Sequence, residues 1–145
     1  MKYIYKILLA LAITGVTVFA YIFVLLINKE HTDYSKLNPD YTISAQQLYN
    51  DFITNKSDAQ VKYTGKVIEI NGKISHIESV ADTAKIVVFV FNSDDFGDSG
   101  VRCLLLPSAI KEINNFAENN DIKIKGFCSG FDDTDVKLDN CSIIK

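Results

Sequence analysis

The sequence has few of the side chains from which metal sites and common catalytic sites are built. Its 145 residues include three cysteines and two histidines, and no CxxC pair is present. These counts do not suit a zinc framework, and the chain has no glycine-rich phosphate loop or metalloprotease helix. His31 lies in a polar segment and His76 ends a predicted strand, without a serine or aspartate partner at a recognisable spacing. We therefore predict that the protein is not an enzyme and uses no cofactor or metal.

Basic residues are also scarce outside the N-terminal segment. Residues 32–145 contain 12 Lys and Arg against 17 Asp and Glu, a net charge of −5. Such a domain repels phosphates at long range, which disfavours nucleic acid as its partner. The turns Asp94–Asp98 and Asp132–Asp135 offer the oxygen ligands that calcium prefers, but neither matches an EF-hand loop. Because Asp and Gly are common turn residues, solvated turns are the expected interpretation and calcium the alternative.

One long apolar run precedes this acidic part of the chain. Residues 7–27 carry no charge, and as a helix they would span roughly 30 Å, the thickness of a bilayer's hydrocarbon core. A cleaved signal peptide is the alternative, since Val18–Ala20 has small residues at cleavage positions. Cleavage there would leave Tyr21–Ile27 as an exposed apolar terminus. We predict an uncleaved, single transmembrane anchor over residues 1–27.

The charges beside this run predict its orientation. Lys2 and Lys6 precede it, whereas Lys29 follows it beside Glu30 and Asp33. The positive-inside rule then places the N-terminus in the cytoplasm and the domain outside the cytoplasmic membrane. Residues 28–41, which are polar and aperiodic, are predicted to be a tether, and residues 42–145 the domain.

The domain is organised around the stretch Lys66–Ile77. Ile68, Ile70 and Ile74 share one face at a period of two, as in a half-buried strand. Gly72 falls on that apolar face, where a strand-interior glycine indicates a bulge, a bend or a close approach of another chain segment. We predict a long strand, bent near its middle, that serves both layers of a small barrel.

Two helices and four further strands complete the prediction. Ser44 and Gln47 form a capping box, and an amphipathic helix follows with one apolar stripe. The stripe consists of Ala45, Leu48, Tyr49 and Phe52. Strands are predicted over Ala84–Phe91, Val101–Leu106, a segment beginning at Ile122, and Val136–Ile144, with a helix over 109–118. A bent first strand, and a helix between strands 3 and 4, are typical of a mainly β, five-stranded OB-fold barrel.

Several segments together resemble the bacterial OB-fold proteins called tRNA_anti-like. The resemblance covers residues 41–144. It is carried by Ile43–Tyr49, Tyr63–Val67, Ile70–Ile74, Val101–Cys103, Ile124–Gly130 and Leu138–Cys141. Members of this family often have a signal or membrane anchor, which implies a location at the cytoplasmic membrane of a bacterium. The family supplies no catalytic residues, so the resemblance implies a fold more directly than an activity.

The three cysteines leave several possibilities open. Cys128 and Cys141 lie on successive predicted strands, roughly opposite each other about a turn near Thr134, and an oxidising compartment would favour a disulfide between them. Cys103 competes as the partner of Cys141, because the third and fifth strands of an OB barrel are neighbours. Three buried, reduced thiols are the remaining possibility.

Three functions are consistent with these features. The leading hypothesis is an anchored binding module whose partner is a protein, peptide or glycan. The alternative is a single-stranded nucleic-acid binder, because OB barrels bind such strands on their second and third strands. The third is an envelope sensor that responds to calcium or redox state. A nucleic-acid face would consist of Lys73, Lys85, Phe89, Phe91 and Arg102, unless the phenylalanines are core and the charges solvated.

Overall fold

The computed structural model describes residues 2–27, 34–81, 84–95 and 97–144. The chain divides into two compact units, residues 1–31 and 32–145. The first unit contains helix α1, Lys2–Ile27. Within the described residues, no helix is long and apolar enough to cross a membrane. The described side chains from Thr14 to Phe23 are all exposed.

The second unit is a seven-stranded mixed sheet with three helices. The strands lie in the order β1-β2-β6-β7-β5-β4-β3. Their bounds are β1 Tyr41–Ser44, β2 Val67–Lys73, β3 His76–Ala81, β4 Ala84–Asp94, β5 Gly97–Leu105, β6 Asp121–Phe131 and β7 Val136–Ile144, and the helices are α2 Ala45–Thr54, α3 Lys56–Tyr63 and α4 Ile110–Ile113.

The prediction of five strands was wrong in number, for a physical reason that lies at Ile74 and Ser75. These two residues divide the predicted first strand into β2, which pairs with β6, and β3, which pairs with β4. Ile74 exchanges backbone hydrogen bonds with Asn119 and Asn120, whereas the Ser75 N–H donates to the Val88 carbonyl at 2.9 Å. The bend therefore gives each half of one segment a different neighbour.

The resulting strand order is that of an OB-like fold, although the sheet is not closed. If β2 and β3 are counted as halves of one strand, the two ends of the order β2-β6-β7-β5-β4-β3 are joined by the chain itself. In the described part of the chain, β1 and β3 are the end strands and do not pair with each other. The predicted closed barrel is thus corrected to an open, strongly bent sheet, and β1 is an addition that the sequence analysis missed.

Helix α2 forms where local sequence signals predicted it. The Ser44 hydroxyl accepts a hydrogen bond from the Gln47 N–H at 3.1 Å, which satisfies one of the free donors of the first turn. The buried side chains of α2 are the predicted stripe: Ala45, Leu48, Tyr49 and Phe52. The helix between β5 and β6 is also present, but it is shorter than predicted, since α4 spans only Ile110–Ile113.

The described part of the predicted tether contacts the sheet. Residues 28–33 lie outside the described residues. Beyond them, the Tyr34 ring stacks on Phe127 with centroids 5.4 Å apart. Lys125, which is buried, donates hydrogen bonds to the Ser35 and Leu37 carbonyls at 3.1 Å each. Residues 34–40 therefore cover part of the outer face of β6 and β7 rather than standing away from it.

Candidate binding cleft

Four side chains on neighbouring strands form a line at one end of the sheet. Ser44 of β1 is in register with Asn71 of β2, Asn71 with Lys123 of β6, and Lys123 with Ile144 of β7. At about 4.8 Å between strands, this line extends roughly 14 Å. It borders a cavity of about 640 Å³ whose other lining residues are Gly72, Phe116, Asp121 and Ile122.

A second cavity, of about 330 Å³, continues around the end of β2. It shares Ser44, Asn71 and Gly72 with the first and extends to Ser75 and Phe91. We call the two together the Gly72 cleft. A combined space of this size falls within the range of sites for small molecules and short peptide segments.

Gly72 itself allows the interior to pack closely behind this cleft. A Cβ at this position would lie 3.1 Å from Cδ1 of Phe89 and 3.3 Å from Cβ of Ala45. The pairing of β2 with β6 is regular through Gly72, so the glycine does not form a bulge. It permits a close approach by the Phe89 ring and by α2, while the bend comes two residues later, at Ile74 and Ser75.

The charged side chains of the cleft have no close ionic partners. Lys73 and Lys123 are exposed, and no ion pair among the described residues includes either one. They occupy diagonal positions on the antiparallel pair of β2 and β6, which places their Cβ atoms about 7 Å apart. Asp121 is in register with Lys73, so the group carries two positive charges and one negative charge.

The structure does not bring the five residues of the predicted nucleic-acid face together. Phe89 is buried in the core, and Phe91 packs on Tyr49 with ring centroids 5.6 Å apart. Lys85 donates a hydrogen bond to Oδ1 of Asn114 at 2.6 Å, beside α4. Lys73 lies in the Gly72 cleft, and Arg102 lies on the outer face of β5. The two phenylalanines thus serve the interior, and the assignment of a binding face stays a prediction.

Arg102 is held between two carboxylates. Its Nη2 donates to Oε1 of Glu78 at 2.8 Å, and its Nε donates to Oδ2 of Asp135 at 3.3 Å. Asp135 also accepts from the Gly100 N–H at 2.9 Å. We call Glu78, Arg102 and Asp135 the ion-paired surface. Because the guanidinium already has two anionic partners, an anionic ligand would have to displace them.

The two histidines do not lie in the cleft as far as the structure describes them. Nε2 of His76 is 3.1 Å from Oε1 of Glu78, which places His76 beside the ion-paired surface. His31 is outside the described residues. The sequence prediction that the protein is not an enzyme therefore stays a prediction.

All three cysteines are buried free thiols. The β6–β7 register has irregularities around Gly126 and around Ser129, and it places Cys128 opposite Leu138 rather than opposite Cys141. Burial raises the pKa of Cys128 to about 11, and burial also raises the pKa of Cys141, which Cys103 approaches. These shifts suppress the reactive thiolate. The disulfide pairs Cys128–Cys141 and Cys103–Cys141, and the redox response, remain predictions.

The acidic turn at Asp132–Asp135 is occupied by contacts within the protein. Nζ of Lys137 lies 2.5 Å from Oδ2 of Asp132, and this hydrogen bond is the main reason that the pKa of Asp132 is lowered to about 2. Asp133 pairs with Lys56. Across the described residues, no group of three or more His, Cys, Asp or Glu side chains is placed to hold a metal ion.

Sequence reasoning missed most of the cleft. Asn71, Lys123 and Phe116 were not singled out, because their proximity depends on the pairing of β2 with β6 and on the position of the chain after α4. The available signal was the alternation along each strand, which places Asn71 and Lys73 on the polar face. The register that adds Asp121 and Lys123 to that face is not readable from spacing.

The strand order and the short helix between β5 and β6 define an OB-like domain, and comparison with known proteins agrees. The chain belongs to the tRNA_anti-like family, whose sequence profile matches residues 1–143. No curated protein gives a significant match. This confirms the family resemblance and the OB-like fold.

Two solved structures illustrate the likeness. One is a proposed nucleic acid-binding lipoprotein from Klebsiella pneumoniae subsp. pneumoniae MGH 78578, which is 20% identical. Its match has a TM-score of 0.55 and covers 72% of this chain and 91% of that chain. The other is the asparaginyl-tRNA synthetase of Entamoeba histolytica, at 14% identity and a TM-score of 0.38, over 55% of this chain and 21% of that chain.

Proposed function

We propose that this protein is a membrane-anchored, OB-like binding module that is displayed outside the cytoplasmic membrane and has no catalytic role. Its partner is a protein, peptide or glycan. The observation that carries the proposal is the Gly72 cleft, which combines an apolar lining with a line of hydroxyl, amide and ammonium groups. Sites that bind organic ligands have this composition, with a few polar groups fixing orientation on an apolar surface.

The electrostatics support a partner other than nucleic acid. Residues 32–145 carry a net charge of −5, and Arg102 is already neutralised by Glu78 and Asp135. A single-stranded nucleic-acid site needs unpaired basic groups along the backbone and exposed aromatic rings for the bases. Phe89, the most central aromatic of the predicted face, is in the core.

The N-terminal segment supports the membrane part of the proposal. Residues 7–27 are uncharged, and Lys2–Ile27 is helical. Large apolar side chains of this helix are exposed, among them Phe19 and Tyr21. An apolar helix of this kind needs an apolar environment, and a bilayer supplies one. The similar Klebsiella protein is described as a lipoprotein, which also associates that protein with a membrane.

Nucleic-acid binding is the second candidate, because the similar Klebsiella protein is described as nucleic acid-binding. An anisotropy titration of a labelled oligothymidine with the full chain in non-ionic micelles separates the two functions. We expect no saturable binding between about 50 and 200 mM salt. Saturable binding that weakens steeply over this range would replace the leading proposal by the second candidate.

The membrane location has its own test. A reporter fused after Lys145 is expected to be active only outside the cytoplasmic membrane, and the fusion is expected to stay in the membrane fraction after alkaline extraction. A reporter that is active in the cytoplasm would refute display outside the membrane. Release by alkaline extraction would refute the anchor.

A further inference from the structure

The Gly72 cleft has features that select among the partners of the proposed module. Its line of polar groups, from Ser44 through Asn71 to Lys123, is about as long as four residues of extended peptide, at roughly 3.4 Å each. The Asn71 amide is able both to donate and to accept a hydrogen bond, as a peptide backbone requires. Ser44 is less available, because its hydroxyl already accepts from Gln47.

The charges of the cleft select for one negative group. Lys73 and Lys123 stand on one diagonal of the β2–β6 pair, and a carboxylate placed between them would contact both ammonium groups. Asp121 stands on the other diagonal, opposite Asn71. Its charge repels a second anion, so the site suits a ligand with a single carboxylate better than a run of phosphates.

Apolar surface adjoins this charged group. Phe116 and Ile144 are half-buried and line the larger cavity, and Ile122 is buried beneath them. An apolar side chain next to the carboxylate would cover these residues and gain the free energy of removing that surface from water.

From these features we infer that the Gly72 cleft binds an extended peptide segment in which one acidic residue is flanked by apolar residues. The inference rests on the proposed function and specifies its partner. The acidic side chain lies between Lys73 and Lys123, the peptide backbone meets Asn71, and a flanking apolar side chain packs on Phe116 and Ile144.

The test uses two matched pools of capped pentapeptides and the full chain in non-ionic micelles. In one pool glutamate stands at the centre with Leu or Phe on each side, and in the other glutamine replaces the glutamate. Binding is followed by amide chemical shifts of the isotope-labelled protein. We expect the glutamate pool to bind about tenfold more tightly and to shift the amides of Asn71 and Lys123.

Charge-removing variants locate the carboxylate. Lys73→Gln and Lys123→Gln are each expected to weaken the glutamate pool about threefold to fivefold and to leave the glutamine pool unchanged. Lys66→Gln is the matched control, because Lys66 is exposed and lies outside the cleft. This control is expected to bind both pools as the parent chain does.

The outcomes distinguish this inference from the proposed function. Equal binding of the two pools in the cleft would overturn the acidic peptide and retain a binding module. Shifts confined to the ion-paired surface would overturn the location. Neither pool shifting any amide, together with saturable oligothymidine binding, would overturn both the inference and the proposed function.

Discussion

The ion-paired surface and the Gly72 cleft place basic side chains in opposite situations. On the ion-paired surface, Arg102 contacts both Glu78 and Asp135, and Asp135 in turn accepts from the Gly100 N–H. In the cleft, Lys73 and Lys123 border open volume without an ionic partner among the described residues.

The difference separates charges that serve the fold from charges that are available to a ligand. Exposed lysines are often unpaired, so an unpaired lysine alone indicates little. What distinguishes the cleft is that two unpaired lysines stand on one diagonal beside an apolar cavity. The comparison predicts that substitutions on the ion-paired surface cost stability, whereas substitutions of the cleft lysines change binding.

The largest effect is expected from Gly100→Ala. A Cβ at Gly100 would lie 1.9 Å from the Phe89 carbonyl oxygen, a backbone atom that cannot rotate away. The strands must separate there, which also disturbs the bond from Gly100 to Asp135, and we expect a loss of about 3 kcal/mol or more. Urea unfolding of the full chain, followed by tyrosine fluorescence, measures the loss.

Gly72→Ala is the matched substitution in the cleft. Its Cβ would meet the Phe89 ring and the Ala45 methyl at 3.1–3.3 Å, and both groups are able to shift slightly. We expect a loss of about 1 kcal/mol. If Gly72→Ala proved as damaging as Gly100→Ala, the contrast between a rigid paired region and an adaptable cleft would be lost.

Arg102→Met is expected to have the next largest effect. It leaves the Glu78 and Asp135 carboxylates without their guanidinium, and we expect a loss of about 1–2 kcal/mol after allowing for partial exposure. Lys123→Met is the control and is expected to stay within about 0.5 kcal/mol of the parent chain. Equal costs in the same urea experiment would show that the two surfaces do not differ in this way.

Ser44→Ala tests a residue that belongs to both the cleft and the fold. The hydroxyl caps α2, and its loss is expected to cost about 1 kcal/mol. Ser44→Asn provides a comparable cap and should keep most of the stability. A loss of equal size in both variants would mean that Ser44 acts through something other than the cap.

The extent to which sequence predicts this molecule follows the range of the interactions. Ser44 and the stripe of α2 are local signals, and both were predicted correctly. Helix α3 was missed because Lys56–Asp58 reads as a polar turn, although Asn55 caps it by accepting from the Asp58 N–H. The opposition of Cys128 and Cys141 was wrong because irregular pairing in β6–β7 shifts the register, and counting outward from a turn cannot detect this.

The cleft lies at the far end of the same scale. The bend of the first long strand was predicted, but Gly72 proved to be a close approach and the bend falls at Ile74 and Ser75. Lys123 joins Asn71 only through pairing across about fifty residues of sequence. Long-range register, rather than residue type, decides which charges meet, and this is why the predicted binding face combined the buried Phe89 with the paired Arg102.

The smallest effect is expected at the edge of the ion-paired surface, where Lys137 bonds to Asp132. Both side chains are about half exposed, so solvent screens the pair, and Lys137→Met should cost about 0.5 kcal/mol or less at neutral pH. The pKa of Asp132 is lowered from 3.8 to about 2 by this bond. A lowered folded pKa contributes stability that is present above 3.8 and is lost as the pH falls towards 2.

The difference in unfolding free energy between the parent chain and Lys137→Met should therefore be constant from about pH 5 to 9 and vanish between about pH 4 and 2. The raised pKa of Lys137, caused by the same bond, extends the upper limit, because that contribution is lost only above 10.5. Lys66→Met is expected to show no such window. A difference that persisted at pH 2 would mean that the Lys137 side chain stabilises the fold by packing rather than by its charge, and the paired surface would then end at Asp135.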